Sequence, residues 1–402
     1  MIRVQNDIML INGLLTQKRK NGRKSDMKKI ICLLFVFLLS VSSGCAANGD
    51  SGMKNTSATF RVSEDTEFGG VNIDASPEEF SAAFPAQFGD SVDAHLSNGF
   101  ILEDIPFYNG FYERVNQPVL VNYPGLYIQL GYCSGDPMWD VLGCTEGDTV
   151  TLSVRERGKY LDRQNAMSSV YVNDRAAFDS DETFANFRPI TGGKLVKNRL
   201  FRGASPVNNV HLRAETADSL LEKNEIAYVL DLADTEELFA GYLAEDDFES
   251  DYTAGLYESG NVALLGLSAS YRSDSFMSSL AEGLRDMTEH AGPYYINCTE
   301  GKDRTGFVCV LLEALAGASF EEIESDYMKT YENYYDITRQ SSPDKYEAFK
   351  ELRLLDMLEW LADVPEGTEL GGTDFTKAAE NYLSDAGMTG QEIAALKAAL
   401  TE

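Results

Sequence analysis

Cys298-Thr299-Glu300-Gly301-Lys302-Asp303-Arg304-Thr305-Gly306 is the run that most constrains this chain. Tyr294-Tyr295-Ile296 ahead of it is aromatic and β-branched, which predicts a short buried strand. Behind it, Phe307-Val308-Cys309-Val310-Leu311-Leu312-Glu313-Ala314-Leu315-Ala316 is long and apolar enough for a buried helix, ended by Gly317. Strand, loop and helix in that order put the loop at a helix N-terminus, where free N–H groups and the dipole favour an anion. The residue types inside the loop suit one chemistry. A thiolate at Cys298 can attack phosphorus, Gly301 lets amide groups converge on phosphate oxygens, and Arg304 can grip two of those oxygens in a fork. The expected route is a cysteinyl-phosphate that water then hydrolyses, with charge neutralised by Arg304 and the loop amides. It calls for no cofactor and no metal. A nucleotide-binding Walker loop is excluded, because Ile296 and Asp303 stand where that motif needs glycine and Ser or Thr.

The run resembles the loop of bacterial tyrosine phosphatases of the secreted, dual-specificity type, His-Cys-x-x-Gly-Lys-Asp-Arg-Thr-Gly. The resemblance extends from about Asn186 to Tyr335. Asn198-Arg199-Leu200-Phe201-Arg202-Gly203-Ala204 is similar to the family's Arg-Ser-Gly segment, and Ala227-Tyr228-Val229-Leu230-Asp231-Leu232-Ala233-Asp234 to its strand ending in Asp-Leu-Arg. Two positions depart from the pattern. Asn297 replaces the histidine before the cysteine, so it can hydrogen-bond but adds no positive charge; Ala233 stands where arginine is common. The resemblance implies an α/β phosphatase domain, a central mainly parallel sheet flanked by helices. It makes Asp303 the leading proton donor. Asp231, at a strand end that should open onto the same face, is the second candidate, with a turn or cap role as its alternative. Thr305 either hydrogen-bonds the sulfur or caps the helix. Thr299, Glu300, Gly301, Lys302 and Arg202 are expected around the bound phosphate. Lys302 could meet a second phosphate, whereas the like charge of Glu300 opposes highly charged substrates. The implied partner is a phosphotyrosyl protein or peptide. Alternatives are a phosphoinositide or inositol phosphate, or a catalytically weak lipoprotein that captures phosphorylated ligands.

A chain of 402 residues with net charge −30 has room for two domains and disfavours nucleic-acid binding or broad docking on anionic lipid. Met27-Lys28-Lys29 followed by the apolar run Ile30–Leu39, then Ser42-Ser43-Gly44-Cys45, resembles a bacterial lipoprotein signal. The expected organisation is therefore residues 1–26 as an upstream extension (translation starting at Met27 is the other reading), 27–44 as signal peptide, and 45–58 as a tether anchored to the membrane through lipidated Cys45. A plain secretory signal or a membrane anchor is the alternative for the apolar run. Residues 59–184 read as a small, mainly β domain of unknown role: Phe100–Leu102, Pro118–Val121, Gly125–Tyr132 and Val150–Val154 are strand candidates with turn residues between them. Residues 185–402 alternate strand candidates (Ala227–Leu232, Val262–Leu267) with helical stretches (Ala217–Lys223, Phe276–His290), the pattern of a parallel sheet with crossover helices. Ser319 with Glu322, and Thr389 with Glu392, have capping-box spacing, and Asp344–Leu361 is amphipathic. Cys309 reads as core packing; Cys133 and Cys144 are either a disulfide or two unpaired thiols.

Overall fold

The computed structural model describes residues 57–65, 69–123, 126–245 and 248–402, so the signal-like run and Cys45 lie outside the described residues. The first region is a closed barrel of strands β1 (Ser57–Glu64), β2 (Val71–Ile73), β3 (Ser91–Leu96), β4 (Ile101–Tyr108), β5 (Pro118–Tyr123), β6 (Tyr127–Tyr132) and β7 (Thr149–Glu156), in the order β1-β2-β6-β5-β4-β3-β7. All neighbours are antiparallel except β4 and β5. Alternation explains the closure. Val92, Ala94 and Leu96 of β3, Leu120 of β5, Ile128 and Leu130 of β6, and Val150 and Leu152 of β7 turn into one core. The helix Pro77–Ala83, held by a capping box between Ser76 and Glu79, adds Phe80 to that core.

The opposite faces of the same strands are also occupied. Val119 and Val121 of β5 pack outside the barrel with Tyr108 and Cys133, beside Phe111, Tyr112 and Tyr160. Cys133 and Cys144 are therefore in different clusters, and both are buried free thiols. Burial pushes the Cys133 thiol up to about 12 and the Cys144 thiol up to about 11.

The second region is built on a sheet ordered β11-β10-β12-β9-β8, namely Val262–Leu264, Tyr228–Asp231, Tyr294–Asn297, Leu200–Gly203 and Arg188–Pro189. The sheet is mixed: β11, β10, β12 and β9 run parallel, and the short edge strand β8 is antiparallel to β9. Side chains alternate across it. Leu200, Tyr228, Leu230, Tyr294 and Ile296 join a large core with the helices Asp274–Glu289, Asp303–Leu315 and Phe375–Asp385. Phe201, Val229 and Tyr295 face the other way, onto Ala217, Leu220 and Leu221 of the helix Ala214–Lys223. Both expected capping boxes close, at Ser319 and at Thr389. The amphipathic stretch near Asp344–Leu361 differs from one regular helix: Pro343–Phe349 and Asp356–Leu361 are joined by a wider π turn over Lys350–Leu355.

The loop between β4 and β5 docks onto this stretch. Arg114 Nη1 lies 2.8 Å from Glu359 Oε2 and 3.4 Å from Asp356 Oδ1, the Val115 amide donates to Asp356 Oδ2 at 3.3 Å, and Arg272 Nη2 reaches the same oxygen at 2.8 Å. Asp356 is a shared, largely buried acceptor for both regions. Its removal would leave two guanidinium groups short of a partner, an effect of roughly 2–4 kcal/mol. Asp356→Ala should lower the urea midpoint correspondingly; a loss under about 0.5 kcal/mol would show that the docking does not rest on this residue.

Candidate active site

The loop after β12 is held open by its own carbonyls. Gly301 adopts φ +65°, and a Cβ there would lie 2.0 Å from the Gly203 carbonyl oxygen, so only glycine fits. The Thr299 carbonyl accepts from the Ser205 amide at 3.2 Å and the Glu300 carbonyl from Tyr334 Oη at 2.7 Å. The Gly301 carbonyl accepts from Arg202 Nη2 at 2.9 Å and from Asn186 Nδ2 at 3.2 Å. All three carbonyls point outward into the protein. In a trans peptide the next N–H points the opposite way, so the amides of Glu300, Gly301 and Lys302 turn into the loop. None of these three amides has a protein acceptor among the described residues. The helix Asp303–Leu315 begins directly behind them, adding its own N-terminal groups.

Around this cup, Cys298 is 3% exposed. Arg304 donates from Nη1 to the Leu267 carbonyl at 2.9 Å and from Nη2 to Thr299 Oγ1 at 3.4 Å, which fixes the guanidinium beside the loop. Asp303, the first residue of the helix, is exposed at the rim. The structure thus brings Cys298, Thr299, Glu300, Gly301, Asp303 and Arg304 together on one short segment.

At four positions the structure separates the expected roles. Arg202 is fully buried; Nη1 pairs with Asp326 Oδ2 at 2.6 Å and Nη2 holds the Gly301 carbonyl, so it supports the loop from behind instead of touching a phosphate. Asp231 takes the turn role that was its alternative. Its Oδ1 accepts from the amides of Ala233 and Asp234 at 2.8 and 2.9 Å, and its Oδ2 accepts from Asn297 Nδ2 at 2.7 Å, a turn-forming and tethering role. Thr305 is fully buried, and Oγ1 has no hydrogen-bond partner among the described residues, so it neither caps the helix nor bonds the sulfur. Lys302 is folded back onto Glu300, Nζ to Oε2 2.6 Å, with its side chain mostly covered.

Residues that went unnoticed in the sequence surround Glu300 and Lys302. Tyr171 donates to Glu300 Oε1 at 2.7 Å and accepts from Lys302 Nζ at 2.9 Å. His211 Nε2 lies 3.2 Å from the same Glu300 oxygen and its ring stacks on Tyr171 at 4.9 Å. Arg213 fastens this strap, donating to the Val172 carbonyl at 2.9 Å and to Asn173 Oδ1 at 3.0 Å. Burial works against the charge of Glu300, but Lys302 and His211 hold its carboxyl well below the usual carboxylate range. No local sequence pattern marks Tyr171 or His211, because their partners are far away in the chain. Among the described residues, no three His, Cys, Asp or Glu side chains converge as metal ligands.

Asp234 also escaped notice. It lies just beyond the end of β10, is 2% exposed, and leaves Oδ2 without a hydrogen-bond partner among the described residues. Burial and the neighbouring Asp231 carboxylate push its carboxyl up to about 9, with Arg304 pulling the other way. An unfolded aspartate gives up its proton near ~4. The folded state therefore binds the extra proton between these values, and the associated stability, full below the lower one, drains away as pH rises towards about 9. Asp234→Asn should flatten the fall in urea midpoint across that interval; a fall as steep as the parent's would contradict the burial of a protonated carboxyl.

No curated protein gives a significant match to this chain. A family model described as "Tyrosine phosphatase family" matches residues 182–402. The match covers more than half of the chain and contains the whole loop, its supporting strands and the helix behind it. The chain belongs to the tyrosine phosphatase family.

Proposed function

We propose that this protein is a cysteine-dependent phosphate monoester hydrolase whose preferred substrates are phosphotyrosyl proteins or peptides. One observation carries the reading: three inward amides and the Arg304 guanidinium converge on the loop that starts at Cys298, at the head of a buried helix. That arrangement neutralises a phosphoryl group without needing the chain's overall charge to be positive. In the first step the Cys298 sulfur attacks phosphorus, an S–P bond forms, the ester P–O bond breaks, and Asp303 gives a proton to the departing phenol oxygen. In the second, water attacks the same phosphorus and gives a proton back to the Asp303 carboxylate, the S–P bond breaks, and inorganic phosphate leaves. Asp303 is the proton donor favoured by position: it stands at the exposed rim, whereas both oxygens of Asp231 are engaged.

A peptide substrate is also favoured by the surface next to the loop. Val170, Val172, Val210 and Leu212 are all exposed, and they flank Tyr171 and His211, which point inward to Glu300. An apolar ledge suits side chains beside a phosphotyrosine better than it suits a polyanionic headgroup. We further propose that residues 27–44 act as a lipoprotein signal and that lipid on Cys45 tethers the protein to the outer side of a bacterial cytoplasmic membrane or the periplasmic face of the envelope.

Cys298→Ser should lower turnover of an aryl phosphate by at least about 10³-fold while vanadate or phosphate still binds, because the amides and Arg304 remain. Turnover near the parent level would remove Cys298 as nucleophile. Asp303→Asn should slow alkyl phosphates by roughly 10²-fold and leave nitrophenyl phosphate nearly untouched, since a good leaving group needs little protonation. Equal slowing of both would make Asp303 a loop-ordering residue. For the anchor, intact mass of protein from bacterial membranes should show acyl groups on an N-terminal Cys45; an unmodified, water-soluble form would count against it.

A further inference from the structure

Lys302 is the one lysine of the loop, and nothing about its position by itself keeps it from a second phosphate. Its surroundings do. Nζ lies 2.6 Å from Glu300 Oε2 and 3.7 Å from Asp303 Oδ2, and it donates to Tyr171 Oη at 2.9 Å. The ammonium also sits 5.4 Å from the centre of the Tyr171 ring and 5.9 Å from that of Tyr335. Glu300 is held from its other oxygen by Tyr171 Oη at 2.7 Å and by His211 Nε2 at 3.2 Å. Tyr171 therefore touches both members of the ion pair, accepting from the lysine and donating to the carboxylate. It belongs to the segment between barrel and sheet, ahead of the residues that the family model matches.

We propose that Tyr171, with His211 and Glu300, is a specificity lock: it withholds Lys302 from the substrate, so that the pocket accepts a single phosphate ester and rejects a ligand with a second phosphate beside the first. The proposal rests on the reading of the Cys298 loop as the phosphate-binding site. Its physics is charge accounting. A free Lys302 would add a cation next to the bound phosphoryl group. Paired with Glu300 it adds none, and a second phosphate would meet the Glu300 carboxylate instead. The strap is rigid enough to enforce this. Arg213 is 1% exposed and holds the strap at Val172 and Asn173 and the following turn at the Phe184 carbonyl, 2.7 Å from Nε. Exposed Val170 and Val172 alternate with inward Tyr171, and exposed Val210 and Leu212 with inward His211, so the stacked pair of rings is what the two segments turn towards Glu300. Tyr171 and His211 act as positioning residues, through Glu300 and Lys302.

The test compares the parent with Tyr171→Phe, Glu300→Gln and Tyr171→Phe/Lys302→Met. For each, kcat/KM is measured for nitrophenyl phosphate and for an inositol bisphosphate with adjacent phosphates, together with competitive inhibition by orthophosphate and pyrophosphate. The expected result is a rise on the order of tenfold in the bisphosphate-to-nitrophenyl ratio, and in pyrophosphate over orthophosphate binding, for Glu300→Gln, and a smaller rise for Tyr171→Phe. Adding Lys302→Met should cancel the rise, which a merely structural role of Tyr171 would not produce. Unchanged ratios in both single variants, with nitrophenyl phosphate still turned over, overturn the lock and leave the phosphatase reading intact. A rise that survives Lys302→Met also overturns it. A parent protein that neither turns over nitrophenyl phosphate nor binds orthophosphate overturns the phosphate-site reading, and the lock with it.

Discussion

A buried guanidinium determines the shape of the loop that begins at Cys298. Arg202, on β9, bridges Asp326 and the Gly301 carbonyl, and its side chain has no contact with solvent. Asp326 is shared with Arg188, whose Nε lies 2.6 Å from Oδ1. Burial works against the Asp326 charge, but the two guanidiniums keep its carboxyl below the ordinary range. A buried pair of this kind contributes little net stability over apolar packing, yet loss of one partner costs about 3–5 kcal/mol. Its value lies in direction. The planar fork holds the carboxylate and the carbonyl in fixed directions, which the freely rotating ammonium of a lysine does not. With the Gly301 carbonyl turned outward, the Lys302 amide must face inward, which sets one of the three inward amides of the cup. The helix Phe320–Tyr335 supplies Asp326 and also Tyr334, which holds the Glu300 carbonyl, so one helix fixes two successive peptide units.

This arrangement reconciles a strongly acidic chain with the proposed anion site. The net charge of −30 acts over the whole surface and is screened within about a Debye length. The loop relies on dipoles and one guanidinium a few ångströms from the ligand position, where solvent screening is weak. The lysine in the same loop adds almost nothing, because Glu300 neutralises it. Asn297 adds no positive charge beneath the site; it serves as the donor that ties the strand end to Asp231.

Local patterns in the sequence reveal the elements that depend on near neighbours. Tyr294–Asn297 forms its strand, the helix begins at Asp303, and the two capping boxes close because each is set by residues three or four apart. The barrel was legible only as a set of short strands. Its closure by β1 against β7 joins residues such as Phe60 and Val150, and no local period records that pairing. The same limit applies to the candidate site. Cys298, Asp303 and Arg304 lie within one run and could be read from it. Arg202 looked like a ligand because arginine near a phosphate loop has two uses, contact or support, and only burial against Asp326 separates them. Tyr171, His211 and Asp234 carry no local signature, since their meaning depends on partners elsewhere in the fold.

Rapidly quenched turnover tests the central claim most directly. During hydrolysis of a phosphotyrosyl peptide, acid quenching followed by mass spectrometry of the digested protein should find one phosphoryl group on the peptide that contains Cys298. It should appear within the first turnover and disappear once substrate is exhausted. Phosphate release with no adduct on that peptide at any time, or with the adduct on another residue, would contradict the account.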